Sequence, residues 1–357
     1  MWGPGARFLF IAASAVVVVA GLRAAAPILL PFFLALFLAI LSLPIMYWLQ
    51  RRRVPTPLAI LLAVLVDLAI FGVIILLAMQ SVADFQERLP QYARRFQNLY
   101  SSWIESVQDM GIPAGELLSA EIISVSAILD LAGGTLTRIA SILSNAFIVG
   151  LIMVFMLAEA SIFPEKFRAV LGRNGGDLSR FAKITGEVQE YLFIKTLVSL
   201  ATGLTIGFWA WIMGLDFPVL LGLIGFVLNY VPTIGSILAA IPAILLALVQ
   251  TGSIGLMAFV ALGYVGINLV FGNLIEPQLL GRRLGLSTLV VILSLIFWAW
   301  VWGPVGALLA VPLTMVLKIG LENTQDLKWI ALLLDKEPAT EPPDRSGPAS
   351  IDHDEGV

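Results

Sequence analysis

No cysteine occurs in the 357 residues, and the one histidine is His353, near the end of a polar tail. Disulfides and thiolate metal sites are thereby excluded. A Ser-His pair or a His-Glu-x-x-His zinc motif cannot be assembled in the apolar part of the chain, so the sequence reads as a non-enzyme with no metal site. No GxxxxGK(S/T) phosphate loop is present, which argues against ATP-driven transport. Charge is also scarce: 13% of residues are Asp, Glu, Lys or Arg, against about a quarter in soluble domains. A net charge of -3 offers no basic surface to a nucleic acid.

What is abundant is apolar. Hydrophobic residues make up 59% of the chain and the mean hydropathy is +0.96, too high for a soluble globule. The expected fold class is an all-α polytopic membrane protein with the lipid bilayer as its solvent. Nine Trp and 31 Gly fit that class, since Trp anchors at interfaces and Gly lets helices approach closely.

Phe8 to Leu22 and Ala24 to Leu49 are apolar runs parted by Arg23, expected to form a tight hairpin of two spans. A signal peptide is the rival reading of the first run. Arg51, Arg52 and Arg53 follow, and clustered basic residues in short loops mark the cytoplasmic side. Leu58 to Gln80 then runs outward. Residues 81–135 carry seven acids and only Arg88, Arg94 and Arg95 as bases, which suits an extracytoplasmic segment. Within it Phe85, Leu89, Tyr92, Phe96, Leu99, Trp103 and Val107 draw one apolar stripe at helical spacing. A second amphipathic helix is expected near 116–131, and the arm either caps the bundle or contacts another subunit. Arg138 to Leu157 returns inward, and the loop from Glu159 to Lys195, with six basic residues, again reads as cytoplasmic.

Simple span counting fails after Thr196 to Met213. Phe217 to Val249 is cut by Asn229, Pro232 and Gly235, and Thr288 to Leu317 by Gly303, Pro304 and Gly306. The segments GSILAAIP (Gly235 to Pro242) and GALLAVP (Gly306 to Pro312) align, with Asp216 and Ser287 opening their hairpins as helix N-caps. Short apolar segments interrupted by Pro and Gly at matching places in two halves point to a transporter's binding site. One span, Ile254 to Ile275, lies between them, so the two hairpins are expected to enter from opposite faces. The layout is then about six full transmembrane helices plus two broken or re-entrant hairpins, with an extracytoplasmic amphipathic arm. Its parts are 8–80 (N-terminal transmembrane helices), 81–135 (arm), 136–330 (transport core with an internal repeat) and 335–357, an acidic tail with four prolines expected to be disordered.

FVLNYVPTIGSILAAIPA (Phe226 to Ala243), NLIEPQLLGRRLGLS (Asn273 to Ser287) and WGPVGALLAVPL (Trp302 to Leu313) resemble, in order and spacing, the AI-2E (autoinducer-2 exporter) family. The resemblance covers roughly residues 8 to 330. It implies a bacterial inner-membrane protein, exporting a small polar metabolite such as the signalling furanone autoinducer-2, or exchanging sodium (lithium) for protons; the basic loops are what put both termini in the cytoplasm. It also implies a homo-oligomer. A membrane scaffold working through the arm and tail is the reading from a different class.

No cofactor is expected beyond a coupling H+ or Na+. Candidates for the substrate or ion path are Asn229, Thr233, Asn268, Asn273, Glu276, Gln278 and Asp67, because polar and ionisable side chains at membrane depth are functional by default. Pro232, Gly235, Pro277, Arg282, Arg283, Gly303 and Pro304 are the structural or gating candidates. Asn268, Gly272 and Glu276 share a face at four-residue spacing. Glu276 either binds cargo or pairs with Arg282 or Arg283, and Asp67 either couples protons or bonds to a neighbouring helix. Trp298, Trp300 and Trp302 either line the cargo site or pack.

Overall fold

The computed structural model describes residues 3–109, 147–162, 166, 176–232, 234–280, 286–322 and 333–334. Among them secondary structure is entirely helical: α1 (Pro4–Ala24), α2 (Ala26–Arg51), α3 (Thr56–Asp109), α4 (Phe147–Ile162), α5 (Gly176–Ile212), α6 (Pro218–Leu228), α7 (Ile234–Thr251), α8 (Ile254–Leu280) and α9 (Thr288–Glu322). Six of these helices hold a segment long and apolar enough to cross a membrane: α2, α3, α5, α7, α8 and α9. In hydrocarbon only helices and closed barrels satisfy every backbone N–H and C=O, which is why so apolar a chain is almost all helix.

α1 and α2 depart from the expected hairpin. Only Ala25, at ψ 1°, separates them, and Ala25 N–H still reaches Gly21 O (2.9 Å) while Leu29 N–H reaches Ala25 O (2.9 Å). A bend joins them, with no loop. Pro27 falls in the first turn of α2, where its missing N–H costs nothing. Behind it Ala35, Ala39 and Ser42 on α2 meet Ala59 and Ala63 on α3, all at most 5% exposed. These small residues let the two backbones approach. Val149, Met153 and Leu157 of α4 close this N-terminal cluster.

The amphipathic stripe is a continuation of a span. α3 has 54 residues, about 81 Å at the helical rise, against a hydrocarbon thickness of about 30 Å. Its far half therefore projects as an arm. Phe85 and Tyr92 stack edge-on to Phe217, Arg95 donates to Gln250 O (2.9 Å), and Arg88 pairs with Asp216 (3.2 Å). The inner part of the stripe thus caps the bundle at the opening of α6 and α7. Asp216 does not cap α6 as the sequence suggests: the N-cap is Phe217, in the left-handed region at φ 60°. The Asp216 carboxylate instead accepts from the Tyr92 hydroxyl. Ser287 does cap α9, accepting from Val290 N–H (3.3 Å).

Both broken segments fold back on themselves. In the first, Leu221 of α6 packs with Ala239, Ala243 and Ala247 of α7, and the mouth is tied by Gln250, which bonds Asp216 N–H and Gly214 O. In the second, α9 breaks at Gly303 (φ 67°). Trp298 Nε1 reaches Thr314 Oγ1 at 3.1 Å, whereas a straight helix would hold those residues about 24 Å apart along its axis. A Cβ on Gly235 would lie 1.8 Å from Leu228 O, and one on Gly306 2.0 Å from Trp298 O. The aligned glycines thus do the same job at both turns. The tips also meet: Val231 is buried in one cluster with Trp298, Trp302 and Leu309.

Trp298 and Trp302 are packing residues, their rings 4.9 Å apart and tilted by 41°, with Trp302 Nε1 bonded to Leu22 O. Trp300 is 57% exposed, with the Arg23 guanidinium over its ring. The helix expected near 116–131, Thr233, Arg282, Arg283 and the tail 335–357 lie outside the described residues.

Candidate functional site, a buried polar seam along α5

Lys195, Ser199, Thr202 and Ile206 follow one another on α5 at four, three and four residues, which puts them on a single face. Each is at most 4% exposed. That face meets α6 because four glycines allow it. A Cβ on Gly203 would sit 2.7 Å from Gly222 O, and one on Gly222 2.8 Å from Gly203 O. Gly207 and Gly225 continue the contact one turn on either side.

The close crossing brings the tip of the first hairpin against the polar stripe. Asn229 Nδ2 donates to Ser199 Oγ (3.0 Å), and the Tyr230 hydroxyl to Thr196 Oγ1 (2.8 Å). Below them Lys195 Nζ lies 2.5 Å from Glu276 Oε1, with side chains 3% and 17% exposed. Burying two charges costs several kcal/mol each unless they pair, so neither side chain could stay charged here without the other. Tyr191, Leu192, Leu280 and Met315 close the core beneath it.

Above the ion pair the seam opens into a small pocket between α5, the first hairpin and α8. Its lining includes Thr202, Asn229, Ser236, Tyr264 and Asn268, and its free space takes about one water. Thr202 Oγ1 and the Tyr264 hydroxyl are buried without a hydrogen-bond partner, and each such orphan costs roughly 1–3 kcal/mol. Trp209 Nε1, likewise orphaned, lies farther along α5 against Gly263.

The backbone of α8 is itself irregular here. Leu269–Ile275 is a π-helical stretch, and wider winding breaks the four-residue register expected to align Asn268, Gly272 and Glu276. Asn268 Oδ1 still folds over Gly272, 2.8 Å from where a Cβ would stand. Glu276 follows the π stretch directly.

Of the residues the sequence singles out, Asn229 and Asn268 line the pocket and Glu276 anchors the ion pair. Asn273 and Gln278 are exposed and line neither. Pro232, Gly235, Gly303 and Pro304 form the two turns. Pro277 lies inside α8, just past the π-helical stretch, where its ring removes one backbone donor from the ladder. Asp67 lies elsewhere, between α2 and α3, bonded to Ser42, whose hydroxyl also lies 2.9 Å from Leu38 O. Lys195, Thr202 and Tyr264 were not among the candidates. Lys195 reads as the last base of a cytoplasmic loop, yet it sits inside α5 in a segment long and apolar enough to span. The signal that finds it is the Lys-x-x-x-Ser-x-x-Thr spacing within an otherwise apolar run.

The family profile described as "AI-2E family transporter" matches residues 9–326. The chain is 39% identical over 334 residues to AI-2 transport protein TqsA of Escherichia coli (strain K12), covering 92% of this chain and 96% of that one. A transport protein of Haemophilus influenzae is 39% identical over 337 residues, with 92% and 96% covered. YhhT of Escherichia coli (strain K12), also described as a transport protein, is 32% identical over 330 residues, with 92% and 94% covered. With its apolar helices and near-complete coverage, the chain belongs to the AI-2E family of transporters and is a multi-pass membrane protein of a bacterial transport family.

Proposed function

We propose that the protein is a secondary transporter that exports a small polar metabolite of the AI-2 kind across the bacterial inner membrane, with both termini cytoplasmic. The observation that carries this is the seam: a buried ion pair, two cross-helix bonds and a pocket with orphan hydroxyls, all on one face of α5. Polar groups at membrane depth are expensive and mark paths. The cargo passes along this face as the first hairpin moves against α5 and α8. The two tips, in contact here, part to expose the seam to one side at a time. Lys195 and Glu276 form the junction that has to open: breaking their contact releases α8 from α5.

Sodium/proton exchange is less well supported, because Lys195 already neutralises Glu276, leaving that carboxylate closed to a cation. A scaffold role finds little support in the arm, whose inner stripe is used up by its own bundle. The test is export of labelled AI-2 from proteoliposomes under proton and sodium gradients. Gradient-dependent flux supports the reading. Absence of flux with AI-2 and with every cation tried refutes it.

A further inference from the structure

Two hydroxyls in the pocket have nothing to bond. Thr202 Oγ1 comes from α5 and the Tyr264 hydroxyl from α8, so they face one space from different walls. Thr202 is 4% and Tyr264 5% exposed, which keeps both from bulk solvent. Elsewhere on this side of α5 the polar groups are matched within the chain: Lys195 with Glu276, Thr196 with Tyr230, Ser199 with Asn229. Within the pocket, Thr202 and Tyr264 break that pattern. A site that stayed dry would be more stable with Val and Phe at these two positions, which have the same shapes and no orphan oxygen. The other polar lining is neutral: Asn229, Ser236 and Asn268. A charged guest finds no counter-charge among these side chains. An uncharged group that both donates and accepts hydrogen bonds matches them.

We infer that Thr202 and Tyr264 are the specificity-determining contacts of the transporter, each exchanging one hydrogen bond with a neutral hydroxyl or carbonyl of the cargo. This deepens the transport reading and rests on it. The space takes one polar group, about the size of a water, so these residues read one end of the cargo. The remainder is held where the hairpin has moved away.

Thr202→Val and Tyr264→Phe each delete one oxygen and keep the shape. With full-length protein in proteoliposomes and labelled AI-2 as the probe, each variant is expected to raise KM roughly three- to tenfold, the value of one neutral hydrogen bond, while Vmax falls far less. Without cargo, each variant is expected to melt at or above the wild-type temperature. Unchanged KM in both variants overturns the inference. A cargo-free melting temperature lower by more than about 4 °C also overturns it, since the hydroxyls would then be holding a structural water. If the wild type moves no AI-2, that cargo assignment fails by itself and melting still decides. Variants as stable as the wild type keep the hydroxyls free for a guest, and less stable ones do not.

Discussion

Replacing Glu276 by glutamine leaves the Lys195 ammonium, 3% exposed, without its counter-charge inside the helix bundle. Removing one partner of a buried pair costs about 3–5 kcal/mol, most of it the penalty of the charge left behind. Lys195→Met is the milder change, because the stranded carboxylate is 17% exposed and keeps more contact with its surroundings than the ammonium does. The double variant strands neither charge, and neutral replacement of a whole buried pair is often neutral or stabilising. The expected order of melting temperature in detergent, followed by tryptophan fluorescence, is wild type close to the double variant, then Lys195→Met, then Glu276→Gln. At about 2–4 °C per kcal/mol the largest drop is on the order of 10 °C. Transport in liposomes should not follow that order: all three variants lose it, the stable double variant included. If Glu276→Gln melts within about 1 °C of wild type and the double variant loses the sum of the single effects, the pair is not a buried, coupled contact and the argument fails.

Further outcomes follow from the geometry. Gly203→Ala places a Cβ 2.7 Å from Gly222 O and should destabilise by about 1–3 kcal/mol or block accumulation in the membrane; Gly266→Ala, with nothing within 4 Å, should match or exceed wild-type stability in the same melting assay. Tyr92→Phe should cost about 1 kcal/mol by removing a hydroxyl bond to Asp216, whereas Arg88→Ala should cost at most about 1 kcal/mol, its ion pair being half exposed. Asp67→Asn keeps a hydrogen-bonding partner for Ser42, so AI-2 flux should stay near wild type; loss of flux with normal stability would bring Asp67 into the coupling path.

The turns were legible because the residues that make them are chemically singular. Gly303 adopts a left-handed φ, and Gly235 and Gly306 stand where a backbone carbonyl leaves no space for a side chain. Such positions show through any apolar background. The stripe from Phe85 to Tyr92 was equally visible from its spacing, although not its partner Phe217, which lies far along the chain. Lys195 escaped because a base beside a loop and a base inside a span look alike until the helix is drawn through both. The register from Asn268 to Glu276 misled because a π-helical turn has no clear sequence signature. Thr202 was hidden for a simpler reason: a threonine on an apolar helix usually bonds its own backbone, as Thr205 and Thr251 do here, while Tyr264 reads as any packed aromatic. Only three-dimensional placement shows that both hydroxyls are buried without a partner.

Because the chain has no cysteine, thiol labelling can test the seam against an empty background. Ser199, fully buried, faces the first hairpin, and Leu204, 67% exposed, lies on the opposite, lipid-facing side of α5. With Ser199→Cys and Leu204→Cys made separately in membrane-embedded protein, a charged water-soluble thiol reagent should modify position 199 during turnover, abolish AI-2 flux, and leave position 204 unmodified. Modification at 204 with none at 199 would place water on the wrong face of α5 and contradict a transport path along the seam.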